Sequence, residues 1–582
     1  MLFGAAIATA MIYLAFLFWL AAWRDRQGKP PRHAGLIYGL SLAVYCTSWT
    51  FFGGVGTAAR SGLDYLPIYL GPILLFTLGF GLVRRILGQA KAQHATSIAD
   101  FLSARYGKSA SVAALVTVIA TIGSLPYMAL QLQSVGSSLL LLDPTLESQV
   151  AADELVLMVA GLMALFAILF GSKRADRPGN NSGLVLTIAV EAVVKLIALL
   201  AVAALALALL FQSETPIQSQ AVFTPQQLDA RFAVLTLIAA CAALCLPRQF
   251  HMTFVEAHSD RPGVAMRWVF PAYLLLTSLV IVPIVLAGLA ALPSGSNPDT
   301  IVMALPLATG NEVLAVLVFI GGVSASAGMI VVASVALSTM ITNDLIAPVV
   351  FRQALSGAGD RSYLARRLLT IRQVVIAGLL FFAYLFYLGF GALTNLAGLG
   401  TLAFAAAAQF APGLVLGMIS RSGNKTGMLA GLSVGFLLWL VLLILPAATG
   451  SDPVFAIHPD TLVSGVLLSL GANCAAYWLG SALKRPSLVD AAQAAAFVGT
   501  PSPGTSKSMV TNKRVVDVRL LLTQFVGRER ADAALAAMAG PYHDSDAADN
   551  AVLEMAERTI SGVIGTSSSR MLISSWSDGD AV

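Results

Sequence analysis

Long apolar runs alternate with short polar loops from Leu2 to about Ala482. The runs cover roughly 2–23, 34–57, 65–86, 110–142, 154–171, 182–211, 232–250, 266–291, 312–342, 372–394, 398–419, 427–446 and 462–483. A hydrocarbon core about 30 Å thick needs roughly 20 apolar helical residues to cross it. Backbone in hydrocarbon must satisfy its own hydrogen bonds, so each run is predicted to be a helix. The chain reads as an all-α polytopic membrane protein with about 13 transmembrane helices. Runs near 30 residues are expected to be tilted, broken or extended past the bilayer.

Charge placement orients the helices. The chain is 57% hydrophobic and 11% charged, with mean hydropathy +0.81, against roughly 25% charge in a soluble domain. Loops after odd-numbered runs hold 22 Lys and Arg, from Arg24 and Arg26 through Arg84, Arg105, Lys173, Arg248 and Arg352 to Lys425. The alternate loops hold Arg60 and Arg231. The positive-inside rule places the basic loops and the C-terminal tail in the cytoplasm and the N-terminus outside. The net charge of +5 follows from this topology and needs no nucleic-acid partner. The first run has no basic residue ahead of it and reads as a retained helix, not a cleaved signal. Cys46, Cys241, Cys245 and Cys474 all lie in apolar runs, with no His or carboxylate beside them to complete a metal site, and read as packing residues.

Composition divides the chain at Lys484-Arg485. Residues 1–485 form the membrane domain and 486–510 a linker, with Thr500–Ser506 rich in Pro, Gly and Ser. Residues 511–582 form a small cytoplasmic helical module. Val515–Ala539 reads as an apolar run leading into an amphipathic helix that Gly540-Pro541 ends, and Ala547–Gly565 as a second helix. So small a core is expected to lean on the membrane domain, a second copy or another partner. Asp544, Asp546 and Asp549 lack the glycine and terminal Glu of a calcium loop and read as a solvated turn. Nothing in the tail suggests an enzyme or a cofactor.

Two runs carry signals of interruption. In the second, Tyr45-Cys46-Thr47-Ser48-Trp49-Thr50-Phe51-Phe52 leads into Gly53-Gly54. Glycine permits unusual backbone angles, and transporters use interrupted helices to free carbonyls near mid-membrane. The alternative is close helix packing through small residues. In the seventh run, Cys245-Leu246-Pro247-Arg248 holds a proline that removes a backbone donor. Two interruptions five helices apart point to an inverted repeat of five plus five, runs two to six and seven to eleven. Glu191 and Lys195 lie four apart in run six and are expected to pair on one face. An intramembrane charge marks a functional candidate, here an ion path. Of Gln131 and Gln133, on different faces, one is expected to face a cavity. Ser324, Ser326, Ser334, Ser338 and Thr339 in run nine either line a pathway or bond back to their own helix.

Together these residues resemble the sodium:solute symporter family over about residues 34–483. Four stretches carry the resemblance: the run-two sequence above; Thr96-Ser97-Ile98-Ala99-Asp100-Phe101-Leu102-Ser103-Ala104-Arg105-Tyr106-Gly107; Thr342-Asn343-Asp344; and Phe404 to Gly435 with Gln409-Phe410-Ala411-Pro412-Gly413. The resemblance implies a LeuT-like fold with a solute site between the broken helices, faced by Tyr45, Trp49, Thr50, Phe51 and Gln131. It implies an ion site using carbonyls of Ala43, Cys46 and Ala325 and hydroxyls of run nine. At the hydroxyl positions this chain has Gly328 and Met329, which supply no hydroxyl to sodium, so little dependence on sodium is expected, with proton coupling or no coupling in its place. Glu191 stands where the family tends to have an aspartate.

The tail is similar to the STAC-like module that joins symporter-type domains to kinase domains in certain sensor histidine kinases. No phospho-acceptor His box or ATP-binding motif follows residue 500. The expected function is therefore a symporter-type secondary transporter of a small organic solute such as an amino acid, coupled to H+ or Na+, in the cytoplasmic membrane. The alternative is a solute receptor signalling through the module to a histidine kinase in a two-component system, and a pore or assembly subunit is a third reading.

Overall fold

The computed structural model describes residues 2–27, 33–172, 181–212, 222–257, 263–293, 295–348, 362–391, 394–498, 513–538 and 542–577. Lys173, Arg174 and Arg352, the linker core Thr500–Ser506 and the stop at Gly540-Pro541 lie outside these residues.

Among the described residues, ten helices are each long and apolar enough to cross a membrane, and three bent pairs, each counted as one span, bring the number to thirteen. Span 1 is Leu2–Arg26. Span 2 is the pair Ala34–Tyr45 and Trp49–Tyr65, and span 3 the pair Pro67–Thr77 and Phe80–Ala92. Spans 4, 5 and 6 are Ala110–Leu142, Ala152–Phe170 and Ser182–Gln212. Span 7 is the pair Ala230–Cys245 and Pro247–Val255. Spans 8 to 13 are Ala265–Ala291, Glu312–Ile346, Leu369–Phe390, Leu396–Ile419, Lys425–Thr449 and Thr461–Leu483.

Spans 2 and 7 are interrupted, five apart, as the sequence suggests. Span 7 bends by 53° at Leu246, whose extended ψ of 129° directly precedes Pro247. A residue before proline is pushed out of the helical region, so the bend is local chemistry. Span 2 bends by 74°, but not at its glycines. Gly53 and Gly54 keep helical angles, and the chain leaves the helix at Cys46-Thr47, where Cys46 is extended. The glycines serve contact instead: a side chain at 53 would meet the Trp49 ring and one at 54 the Tyr69 hydroxyl. Span 3 also bends, by 73°. Beyond the bend, Val83, Ile86, Leu87 and Ala90 are buried and Arg84 and Arg85 exposed, the pattern of an amphipathic helix.

The motif around Arg105 is structural. Helix Ile98–Arg105 is capped by the Ser97 side chain. At its end, Arg105 donates to the carbonyls of Gly417 (2.6 Å) and Ser420 (2.8 Å). It thereby closes the last turn of span 11, as a basic side chain does at a helix C-terminus. Tyr106 donates to Gly413 O at 2.7 Å.

After span 13 the stretch read as linker contains helix Leu488–Val498, whose Phe497 packs on Phe101 with ring centroids 5.4 Å apart. The module has four helices, Val515–Val526, Arg528–Ala536, Asn550–Ile564 and Thr566–Ser577. Gly527 and Gly565, both with φ of +82°, separate them in pairs. The positive φ at Gly527 divides the stretch Val515–Ala539 that the apolar pattern reads as continuous, and Gly565 stands where the second helix is expected to end, with a further helix after it. Cys46 and Cys245 are buried, Cys241 is intermediate, and Cys474 is exposed on span 13.

Candidate functional site

At the interruption in span 2, side chains bond across to spans 6 and 7, although Ala43 O also keeps a turn bond from Cys46 N–H at 2.9 Å. Gln249 Nε2, just past the span 7 bend, donates to Leu42 O at 3.2 Å. Tyr38 OH donates to Thr253 O at 2.6 Å. Lys195 Nζ on span 6 donates to Cys46 O at 2.7 Å and reaches Ala43 O at 3.4 Å. Ala43 and Cys46 are the two carbonyls that the sequence comparison assigns to an ion.

Glu191 does not pair with Lys195, although the two share a helix face. Among the described residues the two make no direct ion pair. The Glu191 carboxylate turns to span 9 and lies over Gly328, where any Cβ would collide with its Oε2. That oxygen is buried with no hydrogen-bond partner among the described residues. The absence of a side chain at 328 therefore makes room for a carboxylate from span 6. The Lys195 ammonium finds two carbonyls of the span 2 interruption closer than its i−4 neighbour. Ala325, one helical turn before Gly328, is buried in span 9.

Hydroxyls gather on the other side of the interruption. Ser48 Oγ donates to Gln131 Oε1 at 2.6 Å and meets Ser326 Oγ at 2.7 Å, with Ser134 Oγ at 3.3 Å from Ser326. Thr47 and Tyr127 hydroxyls are 2.8 Å apart. Gln131 thus braces the interruption, while Gln133 lines an outer cavity. Ser324 bonds Tyr13 on span 1 at 2.8 Å, and Ser338 and Thr339 bond back to Val335 O.

An aromatic cluster lies beside these groups. Trp49 and Phe404 centroids are 4.8 Å apart, Tyr127 lies parallel to Phe404 at 5.8 Å, and Tyr45 is 5.8 Å from Phe404. Tyr45 OH donates to Ile68 O, and Thr50 Oγ1 to Thr47 O. Phe51 is not part of this cluster. Its ring reaches Gly321 of span 9 near Ala198 of span 6 and meets Phe52 edge-on.

Trp49 also lines an open vestibule of about 100 Å³, together with Arg60, Asp64, Tyr65, Arg231, Asn395 and Thr401. Arg231 bridges Asp64 (3.1 Å) and Asp460, and Arg60 pairs with Asp299 at 2.7 Å. Burial pushes the Asp299 carboxyl above its usual range, and Arg60 offsets this only in part.

Sequence reasoning missed Arg248. It is 2% exposed, and its guanidinium carbon stands 4.1 Å from the centroid of the Tyr127 ring. Its position directly after Pro247 in an apolar run was the available signal, but it was read as a loop residue.

No protein-family model and no curated protein matches the chain. Solved structures do. A substrate-bound, outward-open Na+-coupled sialic acid symporter matches with TM-score 0.60 at 15% identity, covering 83% of this chain and 98% of that one. A manganese transporter from Eremococcus coleocola matches at TM-score 0.39 and 13% identity, covering 94% and 97%. A nucleobase-cation-symport-1 family transporter matches at 0.38 and 12%, covering 79% and 95%. At such identities the likeness concerns fold, and the first match carries it: the chain is an all-α, multi-pass membrane protein with the LeuT-like arrangement of two five-span repeats, opened by the interrupted spans 2 and 7.

Proposed function

We propose that this protein is a secondary transporter that moves a small organic solute, such as an amino acid, across the cytoplasmic membrane by alternating access. The observation that carries the reading is the seam that the interrupted span 2 makes with spans 6 and 7. There, side chains of Gln249 and Lys195 bond the carbonyls of Leu42, Ala43 and Cys46. Side-chain bonds can be exchanged as one set of helices rocks against another, which a continuous packed backbone does not allow. In this reading solute enters through the vestibule over Trp49 and rests among Trp49, Tyr45, Tyr127, Thr50 and Gln131. The excess of basic loops puts the vestibule outside and the C-terminal module in the cytoplasm.

The sodium coupling of the sialic acid symporter does not transfer directly. A tethered ammonium occupies the two carbonyls, and Gly328 offers no hydroxyl. The coupling ion in our reading is a proton, with Lys195 and Glu191 as its carriers. Uptake of radiolabelled solutes into proteoliposomes tests this. Accumulation that a protonophore abolishes, and that persists when sodium is replaced by potassium, supports it.

A second reading draws on a separate observation. Thr566, at the start of the last module helix, donates its backbone N–H (2.6 Å) and hydroxyl (2.5 Å) to Asp100 Oδ1. Gly565 lies near Asp344 at the end of span 9. A module seated on a moving span suits a receptor that reports solute to a kinase or to a second copy. High-affinity binding without accumulation would favour it.

A further inference from the structure

Arg248 begins the second half of span 7, and its placement is costly. A guanidinium stays protonated at any physiological pH, and a buried charge without a counter-ion is strongly unfavourable in a membrane. Nε and Nη2 are both buried and have no hydrogen-bond partner among the described residues. The ionisable groups facing Arg248 are Tyr127 from span 4, Tyr45 and Cys46 from span 2, and Lys195 from span 6. None is an acid at neutral pH.

The buried carboxylates are engaged elsewhere. Glu256 holds Asn181 and His251, Asp299 holds Arg60, Asp100 holds Thr566, and Asp344 accepts from Thr117 at 2.9 Å. Around the interruptions there remain two cations, Lys195 and Arg248, and one carboxylate, Glu191. One positive charge is uncompensated. The face of the Tyr127 ring offsets part of it, well short of an ion pair.

The two free donors lie on one edge of the guanidinium. Nε–H and one Nη2–H point the same way, in the fork that accepts both oxygens of a carboxylate. Tyr127 joins this fork to the rings of Phe404 and Trp49, and Trp49 reaches the vestibule. We infer that Arg248 is the anchor for a carboxylate-bearing organic solute, held side-on by Nε and Nη2 with its apolar part against Trp49 and Phe404. This rests on the transporter reading and names the substrate class of the same site. The anion supplies the missing negative charge, so the loaded site is neutral and the empty one is not.

The test uses the full chain in lipid nanodiscs. Thermal shift is measured with a panel of mono-, keto-, di- and amino-carboxylates, each beside its neutral amide, and with sugars, nucleobases, chloride and inorganic phosphate. A ligand that binds only the folded state raises the melting temperature. Stabilising compounds are expected to carry a free carboxylate, and their amides to bind about 100-fold more weakly or worse. Arg248→Lys should retain weak binding and Arg248→Gln none. The melting temperature of ligand-free Arg248→Gln should not fall, because the variant removes an unpaired buried charge. A fall on that substitution would mark a structural arginine and overturn the inference. So would amides, sugars or inorganic anions that stabilise as well as carboxylates, or unchanged carboxylate binding by Arg248→Gln. Those results leave transport intact; failure of every compound both to bind and to accumulate would remove the transporter reading itself.

Discussion

The Lys195 ammonium lies 2.7 Å from the Cys46 carbonyl oxygen and 3.4 Å from that of Ala43. The protein's own side chain fills the place that the sequence comparison assigns to a coupling cation. A tethered cation differs from a free one in a testable way, since it leaves by losing a proton or swinging aside and its binding does not depend on salt composition.

Exchanging sodium for potassium should therefore leave the melting temperature of the wild-type chain unchanged. Lys195→Ala should lower it, at a cost of about 2–5 kcal/mol in stability, because the Cys46 carbonyl loses its ammonium donor and Glu191 its nearby cation. In that variant sodium, but not potassium, is expected to recover part of the loss. Sodium-dependent stabilisation of the wild type would contradict this account of the site.

Gly328 and Glu191 should behave as one unit. Gly328→Ser puts a side chain where the Glu191 carboxylate sits and is expected to cost about 1–3 kcal/mol through overpacking. Glu191→Ala in the same chain should recover most of that cost. A double-mutant cycle read by thermal unfolding checks it, and simple additivity would show that the two residues are not in conflict.

Trp49 is predicted to matter more for binding than its burial suggests. Trp49→Phe keeps an aromatic face toward Phe404 and should lower solute affinity with little change in unfolding temperature. Trp49→Ala leaves a cavity beside Gly400 and Phe404 and should also destabilise, by about 3–5 kcal/mol. Normal affinity in Trp49→Phe, measured by equilibrium binding, would take the ring out of the solute path.

The module contact can be cut at a single residue. Asp100→Ala removes the acceptor for Thr566 N–H and Oγ1 and for Thr96 N–H, and leaves the Lys108–Glu557 pair in place. Hydrogen exchange over 550–577 should rise sharply while spans 4 and 9 stay protected. Unchanged protection of the module would mean that apolar packing alone seats it.

Span number, basic-loop asymmetry and the proline bend of span 7 were legible in the sequence, because each follows from local properties: run length against bilayer thickness, charge count, and the missing N–H of Pro247. The extra helices were not. Leu488–Val498 is a short helix inside polar sequence, and it is stabilised by Phe101 and Gln89, about 400 residues away in the chain. The span 2 interruption was placed too near its glycines. Glycine tolerates an interruption but does not impose one; here donors on other spans hold the chain open at Cys46-Thr47.

What the sequence by itself determined is that Lys195 and Glu191 share a helix face, that Gly328 lacks a side chain, and that Arg248 follows a helix-breaking proline. Only the tertiary structure decided their partners. Spacing of four residues permits an ion pair, but which groups a buried charge meets is set by the neighbouring helices that surround it. Lys195 meets a pair of carbonyls about 150 residues earlier in the chain, Glu191 a space left by glycine, and Arg248 no acid at all. Such choices depend on which helices are neighbours, and no local pattern carries that information.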